Sequence, residues 1–466
     1  MSNPLAPEWL VEPTDANALA ASVWSQNASR SAAGELEIAS VGATSLAERF
    51  GTPVYVVDEA DVKARAAGIR ASFDREFARV GSSAKVYYAG KAFLSTEVAR
   101  WVTEAGLNID VASGGELAVA LAAGVDPARL GLHGNNKSLV EIDRAVGVGL
   151  GAIVIDSEIE ITRVADAAAR HGRIQPVRLR INSGVHASTH EYLATAREDQ
   201  KFGIPLADAP ALVALIRARP SLQFLGLHSH IGSQIFESEG FAEAARRLFA
   251  LHAELLEGGP VPELNLGGGF GIAYTSVDEP LSIDEIAVRF ADIVAGGAAE
   301  LGIPVPVVAI EPGRSIIGPS TTTLYTVGTI KDVLVSTGST GEGSVRKYVS
   351  IDGGMSDNVR PSLYRADYSV RLANRSSNAA PALVRIAGKH CESGDIVVHA
   401  DYLPSDVRPG DLVGVPATGA YGWAMASNYN YLGRPPVVAV IDGEARVIVR
   451  GETEEDLLRR DMGVNK

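Results

Sequence analysis

Eight apolar runs of β type recur between residues 85 and 314, and each ends in glycine or polar residues before a segment of helical pattern. The runs are KVYYAGK, LNIDVAS, LGLHGNN, AIVIDS, PVRLRIN, FLGLHSHIG, ELNLGGG and VVAIEPGR. Eight strands that alternate with helices are what a (β/α)8 TIM barrel requires, and such a barrel usually takes about 250 residues. A doubly wound sheet also uses alternating units, so the count favours the barrel without excluding the sheet.

The pattern changes after Pro319, where short alternating runs are separated by turns rich in Gly, Pro and Asp. This pattern predicts a second, mainly antiparallel β domain of the barrel or sandwich type. We therefore expect an α/β-plus-β chain of two domains. The (β/α)8 barrel takes residues 48–318, and the β domain takes residues 1–47 and 319–466.

Composition excludes several classes of protein. The chain has 466 residues, 46% of them hydrophobic, and a formal net charge of −14, which argues against nucleic acid or an anionic membrane as the main partner. The N-terminus carries acids where a signal peptide would be basic, and we find no apolar run of the roughly 18 residues that a membrane helix needs. A single cysteine fits a reducing compartment. We expect a soluble cytoplasmic protein without a metal.

Barrel enzymes place their chemistry at the C-terminal ends of the strands. Reactive or polar residues follow nearly every predicted strand here. In chain order they are Lys91, Asp110 with Ser113, His133 with Asn135 and Asn136, Asp156, Arg180 with Asn182, His228 with His230 and Ser233, Gly267 to Gly269, and Glu311 with Arg314. Any one of them alone would be read as a cap or a satisfied polar group, but together they indicate an active site.

Three of these strand ends indicate a particular cofactor. Lys91 ends an apolar strand, where burial would lower its pKa as a Schiff-base amine requires, although a lysine that extends to solvent fits the same position. The glycines of LNLGGGFG suit a phosphate or a tight turn. The EPGR segment gives either a plain ion pair or an acid for a pyridinium nitrogen and a guanidinium for an anion. The combination is what pyridoxal 5'-phosphate demands.

From Thr52 to Arg434 the chain resembles the diaminopimelate decarboxylases, which belong with ornithine and arginine decarboxylases to the alanine racemase-like (fold type III) pyridoxal-phosphate enzymes. The motifs are YYAGKAF, NIDVASGGEL, HGNNKS, KFGI, HSHIGSQ, NLGGGFG, EPGRSI, CESGD and ATGAYGWAMASNYN. The resemblance implies covalent attachment of the cofactor to Lys91, stacking by His230 and pairing of Glu311 with the ring nitrogen. The remaining cofactor-binding residues that it implies are Asp110, Arg180, Ser233, Gly268, Gly269, Pro312, Gly313, Arg314 and Tyr421.

The same resemblance implies the substrate site and a homodimer with shared active sites. It assigns substrate binding to Arg314, Arg360, Tyr364, Glu392 and Tyr421. Cys391, with Glu392, would come from the partner subunit and would give a proton to the carbanion that remains after CO2 leaves. Without the resemblance, a lone cysteine is more simply an inert packing group.

Two arginines give a physical reason to prefer one substrate. A substrate with a second carboxylate satisfies both guanidinium groups, whereas ornithine or lysine would leave one unpaired in a closed site. We therefore expect decarboxylation of meso-diaminopimelate to L-lysine. The alternatives are a related decarboxylase of D-lysine, D-ornithine, ornithine, arginine or carboxynorspermidine, or a non-catalytic cofactor carrier. The polar run 183–200 further suggests a mobile lid.

Overall fold

The computed structural model describes residues 3–185, 201–230, 232–236, 239–336 and 343–464. Most of the suggested lid, residues 186–200, lies outside these ranges. The chain divides into two compact units. The barrel unit is Lys63–Gly271 with Pro280–Ser315, and the β unit is Met1–Val62 with Ile272–Glu279 and Ile316–Lys466. The predicted boundaries stay a prediction. They differ from this division chiefly because residues 48–62 and 272–279 group with the β unit.

The N-terminal elements belong mostly to the β unit. They are β1 (Ala28–Arg30), β2 (Leu36–Ile38), β3 (Val41–Gly42), α1 (Ala43–Phe50), β4 (Val54–Asp58) and α2 (Glu59–Arg79). Strands β1 to β3 form a small antiparallel sheet. Its side chains Leu36 and Ile38 join a buried cluster with Leu324 and Val438, so the N-terminal segment packs on the main sheet of the β unit.

The barrel unit contains a closed parallel barrel of eight strands among the described residues. With the short edge strand β10 they are β5 (Ala84–Ala89), β6 (Asn108–Val111), β7 (Leu130–Leu132), β8 (Ala152–Ile155), β9 (Gln175–Asn182), β10 (Ile204–Pro205), β11 (Leu222–His228), β12 (Glu263–Asn265) and β13 (Val307–Ile310). Closure is complete because β13 pairs with β5 and β8 pairs with β9, all in parallel. The predicted barrel is confirmed, and the doubly wound alternative is wrong.

Helices alternate with the barrel strands. They are α3 (Thr96–Glu104), α4 (Gly114–Ala122), α5 (Leu139–Val148), α6 (Glu158–Arg170), α7 (Ala209–Arg217), α8 (Glu239–Glu257), α9 (Ile283–Leu301) and α10 (Arg314–Ile317). Serines begin several of them. Ser95 and Ser113 accept hydrogen bonds at the starts of α3 and α4, and Ser138 forms a capping box with Glu141 at α5. Each such cap stabilises its helix by about 1 kcal/mol.

The β unit is built on a mainly antiparallel sheet, as predicted. Its remaining elements are β14 (Thr321–Ser336), β15 (Gly343–Ile351), α11 (Arg360–Tyr364), β16 (Arg371–Leu372), β17 (Pro381–Ala387), β18 (Ile396–Pro404), β19 (Leu412–Val415), β20 (Val437–Ile441), β21 (Glu444–Val449) and α12 (Glu454–Leu458). The main sheet has the order β18-β17-β15-β14-β4-β20-β21, and β19 pairs with β14 and β16. Among the described pairings of this sheet, only β15–β17 and β20–β4 are parallel.

Within the described ranges, none of the helices has both the length and the apolar character that crossing a membrane requires.

Candidate active site

The C-terminal ends of the barrel strands surround a cavity of about 150 Å³. Five of the residues to which the resemblance gives a role line it, namely Lys91, Asp110, Arg180, His230 and Glu311. The cavity is also lined by His133, His228 and Phe202, together with small residues from the ends of β5, β6 and β7. Closure of the barrel therefore brings side chains from six different strand ends to one place.

Glu311 is the most strongly held carboxylate in this cavity. It follows β13 and is 9% exposed. Asn265 Nδ2 donates a 2.7 Å hydrogen bond to its Oε1, and His228 Nε2 lies 3.0 Å from the same atom. Burial alone would raise the pKa of Glu311, but the imidazoles of His228 and His133 outweigh that effect and hold the pKa well below its usual value. Glu311 is therefore a buried carboxylate that stays ionised.

Asp110 differs from Glu311, because it is buried without comparable support. His133 Nε2 lies 3.1 Å from its Oδ1, but the described residues supply no well-aligned hydrogen bond to either oxygen. Burial raises the pKa of Asp110 to about 6, against the opposing effect of His133 and with the support of the Glu311 charge. A buried carboxyl group with unmet hydrogen-bonding capacity is what a polar ligand in this cavity would satisfy.

Burial favours the neutral forms of His228 and His230. Burial lowers the pKa of His228 to about 4. Burial, followed by the positive charges of Lys91 and Arg180, lowers the pKa of His230 well below its usual value. The backbone N–H of Gly268 donates a 3.2 Å hydrogen bond to His230 Nδ1, which orients the ring and makes Nδ1 an acceptor.

The glycine loop after β12 needs glycine for close backbone approach. A Cβ added at Gly268 would lie 2.0 Å from the carbonyl oxygen of Glu311. One added at Gly269, whose φ is +107°, would lie 2.3 Å from the carbonyl oxygen of Gly232. Because a Cβ at Gly268 or Gly269 would overlap these carbonyl oxygens, only glycine lets the loop pass so close to Glu311 and to the segment after β11.

Lys91 lies in a short 3-10 turn, Gly90–Ala92, directly after β5. Its side chain lines the cavity and is exposed, which fits the alternative of a lysine that extends to solvent rather than a buried one. The end of β5 is tied to the EPGR segment, because the N–H of Ala89 donates a 2.9 Å hydrogen bond to the carbonyl of Pro312. Gly313 packs against the same strand end. A Cβ added at Gly313 would lie only 3.0 Å from Ala89, so a larger residue would be crowded there.

Two predicted arginines of the barrel unit are buried and engaged. The Arg180 guanidinium lies 4.3 Å from the ring centroid of Phe202 and 3.9 Å from Asp156 Oδ2. Arg314 is 5% exposed, and its Nη2 donates a 2.8 Å hydrogen bond to Ser233 Oγ. The Ser233–Arg314 contact joins the ends of the sixth and eighth barrel strands, so both residues lie at the same rim.

The other predicted residues belong to the β unit. Arg360 begins α11 and is 3% exposed. Its guanidinium lies 4.4 Å from the ring centroid of Tyr274, and Nη1 donates a 2.5 Å hydrogen bond to Tyr368 Oη. Tyr364, partly buried, ends the same helix, and Tyr421 has a left-handed backbone with φ of 65°. Arg360 is thus a fixed, buried cation between aromatic rings.

Cys391 and Glu392 lie next to each other on an exposed loop between β17 and β18. The neighbouring His390 is buried, and its Nε2 lies 2.8 Å from Ser356 Oγ. The three adjacent residues therefore differ in side-chain direction. The imidazole of His390 faces the interior of the unit, while the thiol and the carboxylate face outward.

Sequence reasoning assigned no specific role to three cavity residues, His133, His228 and Phe202, or to Asn265, which bonds to Glu311. His133 and His228 had been noted as strand ends without a role, and Phe202 lies within the quoted KFGI motif. Asn265 lies inside the run ELNLGGG, where it gave no separate signal. The signal that could have found it is its position just before the glycine loop, where its Oδ1 accepts the N–H of Gly267 at 2.8 Å.

The donor atoms of the cavity fit pyridoxal 5'-phosphate. An amine at Lys91, an ionised carboxylate at Glu311 and unmet polar capacity at Asp110 are present together. Ligand atoms of His133, His228 and Glu311 also lie within 4.8 Å of one another, a spacing that a metal ion could use. The cofactor accounts for the amine and the glycine loop as well, which a metal would leave without a role.

Comparisons with known proteins agree with this chemistry. The family model of the pyridoxal-dependent decarboxylases, pyridoxal-binding domain, matches residues 61–318, more than half of the chain. A diaminopimelate decarboxylase of Mycobacterium tuberculosis is 49% identical over 452 residues, which are 95% of this chain and 98% of that protein. One from Bacillus subtilis is 45% identical over 433 residues, or 92% of this chain and 95% of that protein. The crystal structure of M. jannaschii diaminopimelate decarboxylase with L-lysine has a TM-score of 0.85 and 30% identity, covering 94% of this chain and 98% of that one.

Proposed function

The chain belongs to the diaminopimelate decarboxylases, a family of pyridoxal-dependent enzymes, and from this premise we propose that it converts meso-2,6-diaminopimelate to L-lysine and CO2. This reaction is the last step of lysine biosynthesis. The observation that carries the proposal is the barrel cavity, in which Lys91 and a buried Glu311, whose pKa is held low, lie beside the imidazoles of His228 and His230.

Several residues of the barrel unit would bind the cofactor, each at a different part of it. Lys91 would attach it covalently, and Glu311 would keep a proton on the ring nitrogen. His230, neutral and oriented by the Gly268 N–H, would lie against the ring face, with Asp110 and Arg180 near its polar edge. When bound, pyridoxal phosphate supplies a ring that accepts the electron pair left by departing CO2.

The phosphate of the cofactor would lie at the glycine loop. Ser233, Gly268, Gly269 and Tyr421 would bind it, with Pro312, Gly313 and Arg314 forming the neighbouring wall. This proposal is supported by the close backbone approach of Gly268 and Gly269 and by the hydrogen bond between Arg314 and Ser233. Backbone N–H groups without intervening side chains suit a phosphate dianion.

Charge matching selects the substrate. Arg314 and Arg360 would bind its two carboxylates, while Tyr364 and Tyr421 would line the pocket and Glu392 would bind the distal ammonium. Both guanidinium groups are buried, so a substrate that lacks one carboxylate would leave a buried cation without its partner. Such a loss costs a binding site far more than a missing methylene does.

A homodimer would complete the site, with Cys391 and Glu392 supplied by the partner subunit. Cys391 would give a proton to the α-carbon after CO2 leaves, which requires a group that carries a proton within hydrogen-bond reach. The exposure of Cys391 and Glu392 on one loop supports a role outside the core of their own subunit. The single cysteine also supports a location in the cytoplasm, where a thiol stays reduced.

The proposed reaction is tested by product identification. The purified protein, supplied with pyridoxal 5'-phosphate and meso-diaminopimelate, should release CO2 and form L-lysine in equal amounts. The Lys91→Ala variant is the matched blank and should form neither product. Formation of CO2 without L-lysine, or no reaction in the intact protein, would contradict the proposal.

A further inference from the structure

The loop of residues 388–395 in the β unit carries Cys391, the only cysteine of the chain, next to a buried imidazole. The imidazole of His390 is turned away from its sequence neighbour. The backbone N–H of Ser356 donates a 3.3 Å hydrogen bond to His390 Nε2, and Ser356 Oγ lies 2.8 Å from the same nitrogen. A nitrogen that accepts a backbone N–H carries no hydrogen, so neutral His390 has its proton on Nδ1.

The side-chain oxygen of Asn430 accepts a hydrogen bond from the Nδ1–H of His390. His390 Nδ1 lies 3.3 Å from Asn430 Oδ1, and the backbone N–H of Cys391 donates a 3.1 Å hydrogen bond to the same oxygen. One amide oxygen therefore accepts from the imidazole and from the main chain of the cysteine. Because both partners are donors, the amide must present its oxygen rather than its NH2 group to the loop.

The position of Asn430 is itself fixed. Its backbone is left-handed, with φ of 51° and ψ of 25°, a conformation that asparagine tolerates better than most residues. The ring of the preceding Tyr429 stacks on His390, with 5.3 Å between centroids and 27° between planes. The left-handed turn and the stacked Tyr429 ring thus place the amide oxygen of Asn430 beside the loop that carries Cys391.

The other hydrogen bonds at this loop involve the carboxylate of Asp395, at the end of the loop. The N–H of His390 donates a 2.8 Å hydrogen bond to Asp395 Oδ2, and the N–H of Met355 donates one of 2.6 Å to Asp395 Oδ1. Asp395 therefore fixes the base of the loop, whereas Asn430 bonds directly to the residue that carries the thiol. Among the described contacts, Asn430 gives the bond that sets the main chain of Cys391.

We propose that Asn430 is the positioning residue for Cys391, acting through its amide oxygen on the Cys391 N–H and keeping His390 in the Nδ1–H form. This inference rests on the proposed role of Cys391 as the proton donor. Asn430 touches neither substrate nor cofactor in this account. It holds the main chain that carries the thiol, and a misplacement of about 1 Å can cost a reaction up to 100-fold in rate.

The test uses the holoenzyme with Asn430→Gly, because glycine adopts the left-handed backbone freely and only the amide is lost. We expect kcat to fall about 10-fold while KM for meso-diaminopimelate changes less than about twofold. Asn430→Asp keeps an acceptor oxygen and should retain kcat within about threefold of the wild type. The matched control is Asp442→Gly, at an exposed hairpin turn with φ of 49°, which should leave kcat unchanged.

A double-mutant cycle separates positioning from general damage. If Asn430 acts through Cys391, Asn430→Gly should lower kcat no further in a Cys391→Ala background. Full additivity of the two losses would overturn the inference, and so would wild-type kcat in Asn430→Gly. In the cofactor-free protein, alkylation by iodoacetamide reports Cys391 alone, and we expect Asn430→Gly to raise its rate about threefold or more. A rate equal to the wild type would contradict the inference.

The failure of this inference is distinguishable from the failure of the proposed function. Wild-type turnover in Cys391→Ala alone would remove the proton-donor role on which the inference depends. A large loss in Cys391→Ala together with normal turnover in Asn430→Gly would keep that role and refute only the positioning by Asn430.

Discussion

Asn265 donates a 2.7 Å hydrogen bond to Oε1 of Glu311 inside the barrel mouth, where both residues are buried. This contact ties the end of the seventh barrel strand to the end of the eighth. It supplies a directed hydrogen bond to a buried carboxylate, which offsets part of the free-energy cost of removing that charge from water. Together with the two nearby imidazoles, it explains how an ionised acid persists at the centre of the cavity.

The first prediction concerns the charge of Glu311. Glu311→Gln keeps the shape of the side chain and removes the charge that would hold a proton on the cofactor's ring nitrogen. We expect kcat to fall about 100-fold or more, while the protein still binds pyridoxal phosphate. Steady-state kinetics and the visible absorbance of the bound cofactor measure the two effects. Glu300→Gln, at an exposed position on α9, is the control, and equal kinetics for both variants would refute the role of Glu311.

The second prediction concerns Lys91. Lys91→Ala should lose the visible absorbance band of the covalently attached cofactor, because Lys91 is the only lysine among the described residues that line the cavity. The spectrum of the purified protein after addition of pyridoxal phosphate and desalting gives the answer. Lys331→Ala, at an exposed site on β14, should keep the band. A surviving band in Lys91→Ala would show that another lysine carries the cofactor.

The third prediction tests the shared active site. Lys91→Ala and Cys391→Ala subunits should each be nearly inactive, and mixing them should restore activity. In a heterodimer with shared sites, one of the two sites has both an intact Lys91 and an intact Cys391. Random exchange of subunits at equal amounts should therefore recover about one quarter of the wild-type activity. Turnover that stays at the level of the separate variants, despite exchange shown by mass spectrometry, would mean that each subunit builds its own site.

The fourth prediction is a pH dependence of stability that comes from His228. Burial lowers its pKa to about 4, from 6.5 in the unfolded chain. Between these values the unfolded state binds the proton and the folded state does not, so stability falls as the pH falls from about 6.5 to about 4. The shift corresponds to roughly 3 kcal/mol at most.

His228→Gln removes the titrating group while keeping a donor near Glu311. In the cofactor-free protein, urea unfolding at several pH values should show a smaller loss of stability toward acid in the variant than in the wild type. His252 is also buried, and burial lowers its pKa to about 4, so the variant should retain part of the acid dependence. Identical pH profiles for the two proteins would contradict the assignment.

The barrel and the cluster of polar residues at its C-terminal rim could be predicted from the sequence because both signals are local. Strand runs and the polar residues that follow them can be read within a few positions, and parallel strands bring those positions to one rim. The grouping of β4 with the second sheet could not be found in this way. Its partners β14 and β20 lie several hundred residues away, and four of its own five residues are simply apolar and β-branched or aromatic, followed by Asp58.

Side-chain direction was the other quantity that the sequence could not give. Asn265 became a partner of Glu311 only when the barrel closed, and the adjoining His390 and Cys391 were found to face opposite ways. The sequence left open whether Lys91 is buried or extends to solvent, and the structure shows its side chain exposed in the 3-10 turn. These properties depend on contacts between distant segments rather than on composition or spacing.

The most direct test of the central claim is the ratio of kcat/KM for CO2 release from meso-diaminopimelate to that from L-lysine, D-lysine, L-ornithine and L-arginine. The two-arginine account predicts at least about a 10,000-fold preference for meso-diaminopimelate, because each of the other substrates leaves a buried guanidinium without a carboxylate. Comparable or higher kcat/KM for one of the monocarboxylates would leave the barrel fold and the proposed role of Lys91 unaffected. It would contradict the assignment of the substrate and of Arg360.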